Sequence, residues 1–88
     1  MMQREFKILQ RLGLHAKPSS MLVNEAGKFK SSVLVSKDGL EVNGKSIMGM
    51  MMLAAECGSS LLIKADGDDA EAAVAALLAL VAAGFGED

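Results

Sequence analysis

The hydrophobic pattern of this 88-residue chain switches repeatedly between a two-residue and a 3.6-residue period, and that alternation constrains the fold most. Met2, Arg4, Phe6 and Ile8 share one side of an extended segment and Gln3, Glu5 and Lys7 the other, which predicts a half-buried first strand. From about Ala16 to Gly27 the period becomes helical: Leu22, Ala26 and Phe29 fall at i, i+4 and i+7, while Asn24, Glu25 and Lys28 face water. Gly27 is a natural stop. Ser32 to Ser36 reads as a second strand, Lys37-Asp38-Gly39 as a hairpin turn, and Leu40 to Val42 as the returning strand.

Beyond the Asn43-Gly44 turn, the Ser46 hydroxyl can accept a hydrogen bond from a first-turn amide and so cap a short helix reaching about Leu53. Gly49 weakens that helix, so packing must help to hold it. Ser60 to Ala65 predicts a fourth strand. Asp68 and Asp69 favour a helix start, Val74, Leu77, Leu78 and Val81 form an i, i+3, i+4, i+7 stripe, and Gly84 is a stop. Asp66, Asp68, Asp69 and Glu71 have no metal-loop spacing and read as capping or solvating groups. The order is β-α-β-β-α-β-α. Four strands are too few for a barrel, so three helices are expected on one face of a four-stranded, mainly antiparallel sheet: an open-faced α/β sandwich of the α+β class. With no linker or internal repeat, residues 1–88 read as one domain.

Composition narrows the function. Half of the chain (51%) is hydrophobic and mostly aliphatic, which suits a packed domain rather than a disordered one. Only Phe6, Phe29 and Phe85 are aromatic, too few for a single-strand stacking platform. A net charge of −2 gives no overall attraction to a phosphate backbone, so nucleic acid is not an expected partner. Cys57 has no second cysteine to pair with and is read as an inert small residue. The charged N-terminal segment does not read as a signal peptide, and the apolar stretch from Ala70 to Phe85 is too short to span a bilayer. A cytoplasmic protein without membrane insertion, metal or organic cofactor is expected.

Pro18, the single proline, marks one helix boundary. A proline lacks an amide hydrogen, so it is tolerated in a first turn, where that hydrogen has no intrahelical partner; in mid-helix it costs about 3 kcal/mol. The helix therefore starts directly after His15, the only histidine. Neutral imidazole is a nucleophile near physiological pH and a good transient holder of a phosphoryl group. A helix N-terminus supplies unpaired N–H groups and a partial positive potential, with the amides of Ala16 and Lys17 as candidate phosphate ligands and the Lys17 ammonium as a mobile counter-charge. The same potential disfavours imidazolium. On spacing alone, a histidine before a helix reads first as a cap or a loop residue.

The segment Gly13-Leu14-His15-Ala16-Lys17-Pro18 resembles the active-site signature of the HPr family, histidine-containing phosphocarriers of the bacterial phosphotransferase system. Lys45-Ser46-Ile47-Met48-Gly49 resembles the family's serine phosphorylation segment, at the matching distance, and the order of elements agrees along essentially the whole chain. The resemblance implies a carrier rather than an enzyme. His15 would be phosphorylated at Nδ1 by enzyme I, itself charged by phosphoenolpyruvate, and would pass the group to a histidine on an enzyme IIA domain. Lys17 stands where the family usually has arginine, keeping the charge but losing the planar fork that grips phosphate. Ser19 and Ser20 stand where smaller residues or threonine are common, and their hydroxyls are available for hydrogen bonds.

The resemblance also implies that Ser46 is phosphorylated by HPr kinase/phosphorylase, with Lys45 and nearby amides offsetting charge locally. That would place roughly −2 charge on a surface that meets an acidic partner. The run from Ile47 to Leu53 holds too many apolar residues for one buried face. Ile47, Met48 and Met51 are the expected docking residues, since methionine adapts to partners of different shape. A monomer is expected. Two other readings share these residues: a regulatory corepressor acting through phosphorylated Ser46, and a nitrogen-related phosphorelay carrier without sugar transport.

Overall fold

The computed structural model describes residues 1–9, 13–14, 16–53 and 55–86. Strand β1 (Met2–Lys7) leads to helix α1 (Ala16–Ala26), then to strands β2 (Ser32–Lys37) and β3 (Leu40–Asn43), helix α2 (Ile47–Met52), strand β4 (Ser60–Asp66) and helix α3 (Ala70–Ala82). A short 3-10 turn, Gly84–Gly86, follows α3. The strands lie in the order β1-β4-β2-β3, and all three pairings are antiparallel. This is the open-faced α+β sandwich expected from the alternating periods, with three helices on one face of the sheet.

The strand residues that alternate inward explain why the helices take one side. Phe6, Val33, Val35, Val42, Leu61, Ile63 and Ala65 are buried, whereas their sequence neighbours face outward or remain partly exposed. From the helices come Leu22, Ala26, Met50, Ala70, Ala73, Val74 and Leu77, so every element contributes to one core. Burying a side chain of this size stabilises by about 1.5–3 kcal/mol relative to leaving it exposed.

Arg4 belongs to the inward set by alternation but is exposed, and its guanidinium donates to the carbonyl of Gln3 at 2.7 Å. The β2–β3 hairpin is tighter than the three-residue turn read from sequence: Lys37 pairs with Leu40, leaving Asp38 and Gly39 as the loop, both with positive φ.

Helix α3 buries Ala70, Ala73, Val74 and Leu77, while Leu78 and Val81 are only half-buried. Alanines thus supply half of a stripe expected to be made of larger residues. Asp69 occupies the N-cap position without making a side-chain cap. Its carboxylate instead accepts hydrogen bonds from the amides of Lys30 and Ser31, each at 2.9 Å, and from the Ser31 hydroxyl. These bonds clasp the α1–β2 connection to the start of α3 and hold the Asp69 carboxyl at about 2, below its ordinary 3.8; the Ser31 hydroxyl contributes most.

Candidate functional site

The approach to α1 is anchored on the segment that precedes β4. As the chain leaves β1, the Ile8 amide donates to Ser59 O at 2.9 Å, and Ile8 O accepts from the Gly58 amide at 2.7 Å. At the other end of the connection, the Leu14 amide donates to Ala55 O at 2.8 Å, and the Leu14 side chain is buried. Gly13 makes that approach possible. Its φ is +72°, and a Cβ there would stand 2.4 Å from Ala55 O, closer than any side chain tolerates.

His15, the expected phosphoryl acceptor, lies outside the described residues. Both of its neighbours are defined: Leu14 is held as above, and Ala16 opens α1. The helix start therefore falls where Pro18 requires it. Ala16 and Lys17 are both exposed in the first turn, where main-chain amides have no acceptor within the helix. Pro18 and Ser19 turn inward, and the Ser19 hydroxyl donates to Leu14 O at 3.2 Å. Of the serine pair that follows Pro18, Ser19 is thus fully buried and Ser20 exposed.

Helix α2 packs against α1 and β3. Ser46 caps it, its hydroxyl accepting from the Gly49 amide at 3.2 Å. Gly49 does more than weaken the helix. A Cβ there would meet Asn43 O at 3.2 Å and the Val42 side chain at 3.3 Å, so its bareness lets α2 lie close on β3. Met50 and Leu53 are buried, whereas Ile47, Met48, Met51 and Met52 are 41%, 73%, 44% and 65% exposed. The three expected docking residues thus share one short helix with its solvent face uncovered, and that helix contacts the one bearing Ala16 and Lys17.

Lys45 is held by two hydrogen bonds. Its ammonium donates to Phe29 O at 2.7 Å and its amide donates to Asn43 Oδ1 at 2.8 Å, so it ties the entry to α2 to the chain just beyond α1. Cys57 is exposed, with its thiol 3.8 Å from Leu9 O, beside the anchored connection.

Sequence reasoning singled out the residues beside His15 and the hydroxyls of Ser19 and Ser20, but missed Ala55 beneath them and did not tell which serine turns inward. The adjacency of Ser19 to Pro18 was the available signal. A surface hollow of about 590 Å³ lies elsewhere, lined by Lys30, Ser31, Gly67, Asp68 and Asp69, and none of the candidate residues borders it. Among the described residues no three His, Cys, Asp or Glu side chains converge to hold a metal, and no helix is long and apolar enough to cross a membrane.

The family described as the PTS HPr component phosphorylation site matches residues 2–83. The phosphocarrier protein HPr of Cupriavidus necator is 51% identical over 87 residues, covering 99% of this chain and 98% of that protein. The crystal structure of HPr-C-His from Thermoanaerobacter tengcongensis superposes with a TM-score of 0.96 at 42% identity, covering 100% of this chain and 99% of that one. A structure described as an HPr dimer from the same organism gives 0.80 at 42% identity, covering 99% and 100% of the respective chains. From its sequence and its fold alike, the chain belongs to the HPr family of phosphocarrier proteins.

Proposed function

We propose that residues 1–88 form a single carrier domain that receives a phosphoryl group on His15 from enzyme I and delivers it to an enzyme IIA domain. The observation that carries this reading is the start of α1 at Ala16, immediately after His15, with Leu14 clamped on its other side. A neutral ring nitrogen of His15 attacks the phosphorus as the donor's bond to it breaks, and the transfer reverses on the acceptor. The first-turn amides of Ala16 and Lys17 and the Lys17 ammonium offset the charge of the phosphoryl oxygens. Lysine supplies a point charge without a rigid fork, which favours release as well as capture. The chain turns over only through its partners, in the cytoplasm and as a monomer. The dimer described for the relative makes light scattering the direct check on that last statement.

Incubation with phosphoenolpyruvate and enzyme I should place an acid-labile phosphate on His15, absent from His15→Ala. A competent enzyme I that leaves His15 unlabelled refutes the carrier role.

Docking of both partners is assigned to the exposed face formed by Ile47, Met48 and Met51. Ser46, at the entry to that same helix, is the regulatory position. Phosphate there adds roughly −2 charge beside the docking face and opposes an acidic partner. ATP with HPr kinase/phosphorylase should give acid-stable label on Ser46, and its absence removes the regulatory part of the reading.

A further inference from the structure

Leu14 stands two residues before α1 opens at Ala16, so its carbonyl lies outside the helical hydrogen-bond ladder. In a regular helix each amide bonds the carbonyl four residues earlier. The amide at that spacing from Leu14 O would be that of residue 18, and Pro18 has none, so the ladder cannot be extended back to Leu14. Leu14 is buried, so its carbonyl has little recourse to water. The donor comes instead from a side chain: Ser19 is fully buried, and its hydroxyl donates to Leu14 O at 3.2 Å. The Leu14 amide is meanwhile committed to Ala55 O at 2.8 Å. Leu14 is therefore held at its amide, its carbonyl and its side chain, and its carbonyl belongs to the peptide joined directly to His15.

We infer that Ser19 is a positioning residue for phosphoryl transfer, its buried hydroxyl fixing the Leu14 carbonyl and with it the backbone that leads into His15. The inference rests on the carrier reading and deepens it. Ser19 touches neither phosphate nor partner. It faces inward, away from the surface where Ala16, Lys17 and Ser20 are exposed. Its role is to narrow the range of backbone geometries from which His15 attacks, and so to raise the chemical rate without altering partner affinity.

The test compares wild type, Ser19→Ala and Ser20→Ala in enzyme I-dependent phosphorylation. Alanine is the best helix former and removes only one oxygen atom, and circular dichroism with a melting curve verifies that the variant is folded at the assay temperature. Ser19→Ala should lower kcat by about fivefold to tenfold, the effect of one lost hydrogen bond on a reacting geometry, with KM for the carrier unchanged. Ser20→Ala should leave both constants at their wild-type values. An unchanged kcat in folded Ser19→Ala overturns the inference, and so does a loss confined to KM. A partner-free readout separates this claim from the carrier reading. His15 is the only histidine, so its imidazole titration is resolved by proton NMR, and its midpoint should differ between wild type and Ser19→Ala. If wild-type His15 takes up no phosphate, the carrier reading fails on its own, and equal midpoints then reject the positioning role as well.

Discussion

Gly13 lies against the carbonyl oxygen of Ala55 so closely that a Cβ on it would come within 2.4 Å, and its φ of +72° is one that other residues resist. The two constraints are independent. Gly13→Ala incurs about 1–2 kcal/mol for the left-handed backbone alone, and the carbonyl it strikes is main chain, which cannot rotate aside as a side chain would. Urea denaturation should show a loss of about 2 kcal/mol or more, accompanied by slower phosphoryl uptake because the neighbouring Leu14–Ala55 bond is displaced. Wild-type stability in Gly13→Ala would mean that the connection is not held against the 55–59 segment.

Asp69 provides a prediction with a definite sign. The carboxyl has a folded value near 2, below its ordinary 3.8, because the Ser31 hydroxyl and then the amides of Lys30 and Ser31 favour its ionised form. A depressed acid stabilises the fold above its unfolded value, and that contribution is lost as pH falls through the folded one. Stability should therefore decline between about pH 4 and pH 2. Asp69→Asn, which cannot accept the same bonds as an anion, should be less stable than wild type at neutral pH, and the difference should shrink near pH 2. Urea midpoints for both proteins at the two pH values test this. A difference that stays constant with pH would detach the clasp from ionisation.

The strands and α1 were legible because each carried its own period, and Pro18 and Ser46 marked helix entrances by their chemistry. What was not legible depended on distant partners. Asp69 looked like a cap, yet its carboxylate serves residues 38 and 39 positions away. Helix α3 is apolar almost all round from Ala72 onward, so periodicity could not tell which face would be buried; the buried face carries Ala70, Ala73, Val74 and Leu77. Phe85 is almost wholly buried beyond the Gly84 stop, and its φ is +55°, a backbone state that no residue-type pattern announces. At the candidate site the exposed residues could be named, since chemistry marks them. Ala55 beneath them could not, because it has no side-chain chemistry to mark it.

Met48 and Met50 separate docking from stability within a single helix. Met50 is fully buried and Met48 is 73% exposed. Met50→Ala should cost about 2–5 kcal/mol through the cavity it leaves. Met48→Ala should change stability by no more than about 0.5 kcal/mol. Met48→Glu should likewise remain folded but raise the KM for phosphorylation by enzyme I, since it sets a negative charge in the proposed apolar docking face. Denaturation and steady-state kinetics on the three variants decide the matter, and an unaltered KM in Met48→Glu would place docking on another surface.

Ser46 combines a structural bond with a proposed modification, and substitution can part them. Its hydroxyl accepts from the Gly49 amide at 3.2 Å, so Ser46→Ala should lose about 1 kcal/mol. Asparagine caps as well as serine does but cannot take phosphate as a hydroxyl ester. Ser46→Asn should therefore keep wild-type stability and accept phosphate on His15, while losing the acid-stable label from ATP and the inhibition that accompanies it. Urea midpoints and the two labelling reactions measure the two roles separately. If Ser46→Asn remained subject to the ATP-dependent inhibition, the regulatory phosphate would have to sit on another residue, and Ser46 would keep only its cap.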